Sequence, residues 1–291
     1  MDWLIDPLQY SFMQKALLAG ILAAVTTSLV GIWVVLRGMT FMGDALAHGV
    51  LPGIAIAALW GLSLPIGASA SAVVMVALIA LVQRRSRLPE DAAIGLLFVG
   101  MLALGVVIIS RSDAFAQDLT SFLFGDVLGV GEGDLVMQGG ATILVAASAI
   151  VFYRAFLALS LDEVKAALLG LHPKAAHVLL LALIAVAVVS SFQAVGALLV
   201  FGLMVGPPAT ASLLVRRVPV MITVSVAIGV LAVCAGLLLS YHFDLAGGAM
   251  MSGLSVAGFF VVLAGQALAR LRRGRQRYQP GFELDDAGSA G

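Results

Sequence analysis

The chain has 291 residues, of which 62% are hydrophobic and 11% carry a charge, and its formal net charge is zero. Its mean hydropathy is +1.11. Soluble domains are about half apolar and a quarter charged, so this composition excludes a water-soluble globular protein. It predicts a protein that lies almost entirely in a bilayer, where each span needs about 20 mostly apolar residues.

Nine apolar segments follow one another and predict an all-α, polytopic membrane protein with eight or nine transmembrane helices. They cover residues 12–36, 46–61, 63–83, 91–110, 136–157, 176–192, 196–215, 219–241 and 249–270. Helices satisfy every backbone hydrogen bond within a continuous apolar run, so they are the expected structure. We expect residues 1–274 to form a single transmembrane domain and the polar residues 275–291 to be a disordered tail.

Basic residues follow the first, third, fifth, seventh and ninth segments, which places them on one side of the membrane if the segments alternate. The loops on the other side carry aspartate and glutamate, with Arg111 as their only base. The positive-inside rule makes the basic side cytoplasmic. The sequence therefore predicts an N-terminus outside and a C-terminus in the cytoplasm. No basic stretch precedes the first apolar run, so we expect the first span to be retained.

Two stretches between spans are too polar to cross a bilayer. On the outer side, Leu119–Leu128 is interpreted as a short helix at the membrane surface. On the inner side, Ser160 is a candidate N-cap, Glu163 completes a capping-box pattern, and Gly170 is a candidate helix end. This pattern predicts a short amphipathic cytoplasmic helix that lies either at the lipid headgroups or against a cytoplasmic partner.

One polar cluster lies within the apolar sequence, at residues 37–52. Asp44 and His48 are four positions apart, so a helix places them on one face, one turn apart. A carboxylate beside an imidazole suits zinc or manganese, and ionisable groups in membrane spans usually face a water-filled path or the bundle interior. The pair is a candidate metal site. Two structural roles compete with it: the side chains pair with each other, or Asp44 caps the following helix.

A second stretch combines small residues with two prolines. Its members are Gly196, Gly202, Gly206, Pro207 and Pro208. Such residues bend or interrupt a helix, and irregular backbone at membrane depth is tolerated where it lines a cavity or is buried in protein. Small residues also permit close helix contacts. The stretch is a candidate for the pore wall, for a dimer contact, or for both.

His242 and Asp244 fall in an outer loop, where they are candidates for contact with an incoming ion or a delivery protein; an ordinary solvated loop is the alternative. The chain contains no Walker-type Gly-Lys-Ser/Thr loop, no His-Glu-x-x-His and no Gly-x-Ser-x-Gly motif. An enzyme is therefore not predicted, and no catalytic residue is assigned.

The polar motifs resemble those of the permease subunits of bacterial zinc and manganese ABC importers. The resemblance rests on Arg37-Gly-Met-x-Phe-Met-Gly-Asp-Ala-Leu-Ala-His, continuing to Pro52 and Gly53, and on Gln193-x-Val-Gly-x-Leu-Leu-Val through Pro207 to Ala211. It extends, in order, over most of residues 10–270. The charged segment 162–170 falls where this family contacts its ATPase.

The resemblance implies a homodimeric channel in the bacterial inner membrane that receives Zn²⁺ or Mn²⁺ from an extracytoplasmic binding protein. Two separate ATP-binding subunits would drive it, and the metal would bind only transiently, with no resident cofactor and no nucleic-acid partner. Asp44 and His48 become the metal ligands. The residues that would couple to the ATPase are Asp162, Glu163, Lys165, Leu168 and Gly170.

Two rival functions remain at this stage. One is an ABC permease for a metal chelate or cobalamin, and the other is a secondary metal transporter driven by an ion gradient. Asp and His ligands accept zinc, manganese and iron alike, so the motifs do not choose among these metals.

Overall fold

The computed structural model describes residues 6–86, 89–110, 125, 127–161, 170–196 and 200–277. Every regular element in these ranges is helical. The α-helices are α1 (Ser11–Leu36), α2 (Thr40–Gly49), α3 (Leu51–Leu59), α4 (Leu64–Arg85), α5 (Glu90–Ile109), α6 (Glu132–Val151), α7 (Tyr153–Leu161), α8 (Pro173–Val195), α9 (Val200–Leu214), α10 (Val218–Phe243) and α11 (Gly247–Arg277). Short 3-10 helices lie at Pro7–Gln9 and Val127–Gly129.

The predicted polytopic all-α fold is confirmed. Within the described ranges, 8 stretches are long and apolar enough to cross a membrane. Seven of them lie on single helices, and the eighth, Phe41–Leu59, consists of α2 and α3 together. The segment predicted at 196–215 corresponds to α9, which has 15 residues. At 1.5 Å per residue α9 is about 22 Å long, less than the hydrocarbon core of about 30 Å.

Helix α1 is the centre of the bundle. It packs against α6, α8, α9 and α10. Ala16, Ala23 and Ala24 on α1 are completely buried, and these small side chains allow neighbouring helices to approach closely. At Gly31 the approach to α9 is so close that an added Cβ would overlap the backbone carbonyl of Met204.

The two ends of the bundle differ in charge. At one end Lys15 Nζ lies 3.1 Å from Glu132 Oε1, joining the start of α1 to the start of α6. At the other end the Trp33 ring meets the Tyr153 ring edge-to-face, at a centroid distance of 5.6 Å, and the Phe156 ring in a tilted contact at 5.5 Å. Because the long helices alternate in direction, every described arginine lies toward the Trp33 end.

Several predicted features fall on residues that the structure does not describe. Most of the predicted outer helix Leu119–Leu128 is among them, as are residues 162–169 of the predicted cytoplasmic helix and the tail 278–291. Gly170 is described and forms a turn with φ +72°, just before α8. Helix α11 continues to Arg277, three residues past the boundary that the sequence suggested for the tail.

Candidate functional site

A left-handed glycine turn sets the direction of α2. Gly38 has φ +70°, a conformation that glycine adopts at little cost. Its N–H donates to the Val35 carbonyl at 3.1 Å, and the Met39 N–H donates to the Val34 carbonyl at 3.0 Å. These bonds close the end of α1 in the manner of a glycine C-cap, so α2 begins directly after the turn.

Close packing then fixes the rotation of α2. Met42, Ala45 and Leu46 are buried against the rest of the bundle. Gly43 lies against the end of the Met204 side chain on α9, and Gly49 lies against Met75 on α4. Since this side of α2 is enclosed, the face that carries Asp44 and His48 is the one left partly open.

Asp44 and His48 form a pair on that open face. His48 Nε2 lies 3.6 Å from Asp44 Oδ1, and their side chains retain 15% and 28% of their exposure, respectively. The separation is too long for a hydrogen bond. Two ligand atoms bound at about 2.1 Å to one tetrahedral ion lie about 3.4 Å apart, so the two groups can contact a common metal with little rearrangement.

Phe98 on α5 supports the imidazole. Its ring meets the His48 ring edge-to-face, at a centroid distance of 5.1 Å and an interplanar angle of 75°. It also meets Phe41 at 5.5 Å and 71°. Sequence reasoning did not identify Phe98, because an aromatic residue in an apolar span carries no signal of the helix it will contact.

The structure excludes one of the competing roles of Asp44, that of a helix cap. The N-cap of α3 is Val50, with no side-chain capping bond, and Asp44 lies in the middle of α2. The interpretation of Asp44 as the cap of the following helix was therefore wrong. No group of three or more His, Cys, Asp or Glu side chains suited to a metal occurs among the described residues. Asp44 and His48 alone would supply two of the four ligands that a tetrahedral ion needs.

The glycines and prolines of residues 196–208 lie in two different settings: a helix end and the interior of a helix. Helix α8 ends at Val195, and Gly196 follows with φ +93°, so the predicted interruption occurs there. In contrast, Pro207 and Pro208 lie inside α9, which continues through both prolines. The Met204 carbonyl, whose usual N–H partner is replaced by Pro208, faces Gly31 of α1.

The small residues of α9 make contacts within one chain. Gly202 lies against Ser252 of α11, and Gly206 lies against Ser255 of the same helix. Ser255 Oγ donates to the Gly202 carbonyl at 2.9 Å. All of these residues are buried, so close helix contact inside the protomer accounts for their size.

His242 and Asp244 lie at the Lys15 end, away from Asp44 and His48. Contact between the rings of Tyr10 and Tyr241, at 6.4 Å, joins this region to the start of α1. His242 Nδ1 donates to the Leu238 carbonyl at 2.9 Å. Asp244 is exposed and ends α10 in a left-handed conformation with φ +50°. The His242 ring also meets the Tyr241 ring edge-to-face, at a centroid distance of 5.3 Å.

Comparisons with known proteins agree with the motifs. Residues 9–266 match the model of the ABC 3 transport family. The chain is 38% identical over 273 residues to the manganese transport system membrane protein MntC of Halalkalibacterium halodurans, covering 92% of this chain and 94% of the relative. It is 35% identical over 261 residues to the chelated iron transport system membrane protein YfeD of Yersinia pestis, covering 89% and 86%.

The fold is also known from a solved structure. PsaBC from Streptococcus pneumoniae, determined in complex with a Fab, contains a chain that superposes with a TM-score of 0.80 and 32% identity. The superposition covers 89% of this chain and 94% of the other.

Proposed function

This chain belongs to the ABC 3 transport family, and from that membership we propose that it is the channel subunit of an ATP-driven importer that carries a divalent transition metal into the cytoplasm. Zinc and manganese are the proposed cargo. The observation that carries the proposal is the Asp44–His48 pair, 3.6 Å apart on a partly exposed face of a membrane helix. Ionisable groups at such depth are costly and mark ion pathways.

The proposed site binds the ion weakly and briefly. An ion that has left its carrier and lost most of its water would meet the carboxylate of Asp44 and the imidazole of His48. Conduction requires binding strong enough for entry and weak enough for release. Two ligands per chain meet this requirement better than a closed four-ligand cage, which is typical of structural zinc sites.

The proposed assembly is a homodimer with two cytoplasmic ATP-binding subunits and an extracytoplasmic metal-binding protein. The surface beside the metal pair is open to a second copy. On α5, Leu96 and Val99 flank Phe98 and are 65% and 59% exposed, and nothing lies within 4 Å of a Cβ added at Gly100. A second copy could therefore approach the site and add its own Asp44 and His48.

Coupling to ATP hydrolysis is assigned to the cytoplasmic segment that the family resemblance indicates. Its residues are Asp162, Glu163, Lys165, Leu168 and Gly170. Gly170, the last of these residues, has φ +72° and lies three residues before the start of α8. A force that the ATPase exerts on the segment would thus be transmitted directly to α8. With the arginine-rich end of the bundle in the cytoplasm, the segment lies on the side where the ATPase acts.

The proposal is tested with the complex in liposomes, containing the ATPase and the binding protein loaded with zinc, manganese or iron. We expect one loaded form to stimulate ATP hydrolysis and metal uptake. Asp44→Asn and His48→Gln should each abolish the stimulation without preventing assembly. Asp91→Asn, which neutralises an exposed carboxylate at the start of α5, is the matched control and should retain activity.

Other outcomes distinguish the rival functions. Stimulation by a metal chelate, unchanged in the Asp44→Asn and His48→Gln variants, would identify a chelate permease. Metal flux that follows a proton gradient and needs no ATPase would identify a secondary transporter. Either result would contradict the proposed importer.

A further inference from the structure

Helix α11 extends beyond the membrane-spanning part of its sequence. The span covers Gly247–Arg270, whereas the helix continues to Arg277. The 24 residues of the span are about 36 Å long and cross the hydrocarbon core of about 30 Å. The remaining seven residues add about 10 Å of helix beyond this span. The end of α11 therefore lies outside the hydrocarbon core.

This end of α11 is strongly basic. Five of its last eight residues are arginines, and none is acidic: Arg270, Arg272, Arg273, Arg275 and Arg277. Because the backbone stays helical, the five arginines lie on about two successive turns. Positive charge is therefore dense along these two turns of helix.

A hydrogen bond places a second basic segment beside the first. Gln266 Nε2 donates to the Leu213 carbonyl at 2.6 Å and so ties α11 to the end of α9. Arg270 follows Gln266 by one helical turn. Arg216 follows Leu213 by three residues. Arg216, Arg217 and Arg270 are all exposed, and no ion pair to any of them occurs within the part of the chain that the structure describes.

We propose that Arg216, Arg217 and Arg270 form an arginine patch that binds the phosphate groups of anionic phospholipids. This inference goes beyond metal transport and does not depend on it. Guanidinium groups bind phosphate oxygens in a bidentate manner, and arginine clusters just outside a membrane span recognise anionic lipids.

The position of the patch favours a lipid over the cytoplasmic ATPase as its occupant. Arg216 and Arg217 lie in a connection of only three residues, between the end of α9 at Leu214 and the start of α10 at Val218. Such a short connection cannot extend far from the membrane surface. Arg270 is the last residue of the apolar span of α11. The patch thus begins where the apolar sequence of α11 ends.

The test is native mass spectrometry of the purified full-length chain in detergent, titrated with phosphatidylglycerol or with phosphatidylcholine. We expect preferential binding of phosphatidylglycerol that weakens with added salt. Replacing Arg216, Arg217 and Arg270 by Gln should lower its affinity by about tenfold or more, and the corresponding Lys variants should retain most of it. Inorganic phosphate at equal ionic strength should not displace the lipid, because it lacks the acyl chains that hold the headgroup at this depth.

The matched control removes three basic charges from the same end of the bundle, outside the patch. Arg85→Gln, Arg154→Gln and Lys174→Gln alter exposed residues of α4, α7 and α8. This triple variant should bind phosphatidylglycerol as the original chain does. The proposal is overturned if both triple variants lose the lipid equally, or if the patch variant keeps the lipid but no longer assembles with the ATPase.

Discussion

The imidazole Nε2 of His48 lies 3.6 Å from Oδ1 of Asp44, one turn earlier on α2. Helix geometry brings the two side chains to one face, and the packing of Gly43 and Gly49 leaves that face open. The separation suits two ligands of one ion better than a hydrogen bond. Both side chains are also partly exposed, which supports the proposed role of the pair in binding an ion.

Removal of the Phe98 ring should weaken metal binding without removing a ligand. The edge-to-face contact restricts the rotation of the His48 imidazole, and such contacts contribute about 0.5–1.5 kcal/mol. We expect Phe98→Ala to raise the metal concentration for half-maximal ATPase stimulation about 2- to 10-fold. Phe260→Ala, at a site 61% exposed on α11, is the control. Equal effects of the two substitutions would argue against a role of Phe98 at the site.

Two glycines that contact the same methionine should differ in their tolerance of a methyl group. Gly31→Ala would overlap the Met204 backbone carbonyl, which cannot move without α9, whereas Gly43→Ala meets only the flexible end of the Met204 side chain. Gly31→Ala should destabilise the protein by about 1–3 kcal/mol, and Gly43→Ala by less.

Thermal unfolding in detergent measures this difference. Gly258→Ala is the reference, because nothing lies within 4 Å of its added Cβ. It should be neutral or slightly stabilising, since alanine favours a helix by about 1 kcal/mol over glycine. A Gly31→Ala variant as stable as Gly258→Ala would show that α1 and α9 are not closely packed.

Metal-stimulated ATP hydrolysis should decrease as the pH falls. A metal binds the deprotonated carboxylate and the neutral imidazole, so protons compete with it at both groups. ATP hydrolysis without metal, measured at each pH, corrects for effects on the ATPase. In the His48→Gln variant the residual stimulation should depend less on pH; an unchanged dependence on pH would argue against His48 as a ligand of the metal.

Cysteine labelling in intact cells should establish the proposed orientation. In a Cys234→Ala background, Ser63→Cys introduces a thiol between α3 and α4 at the Lys15 end, and Lys174→Cys introduces one at the arginine-rich end. Both positions are exposed. A membrane-impermeant maleimide should label Ser63→Cys directly and Lys174→Cys only after permeabilisation. The opposite pattern would reverse the assignment of the two ends.

The sequence by itself determined the fold class and the closeness of Asp44 and His48, because both depend on local properties. Apolar runs of about 20 residues require membrane helices, and a spacing of four places Asp44 and His48 on one face of any helix. The charge distribution along the chain likewise predicted one arginine-rich end, because alternation of spans is sufficient to place it. None of these conclusions needs knowledge of which helices touch.

Only the tertiary structure decided how these parts meet. The contact of Phe98 with His48 joins residues 50 positions apart, and the bond from Gln266 to Leu213 joins residues 53 positions apart. Local spacing carries no information about such contacts. Tertiary packing also keeps α9 continuous through Pro207 and Pro208, where local propensity favours a break, because α1 and α11 enclose it and Gly31 leaves room for the Met204 carbonyl. Helix geometry fixes the relative positions of residues within a turn or two, whereas the positions of neighbouring helices depend on the packing of the whole bundle.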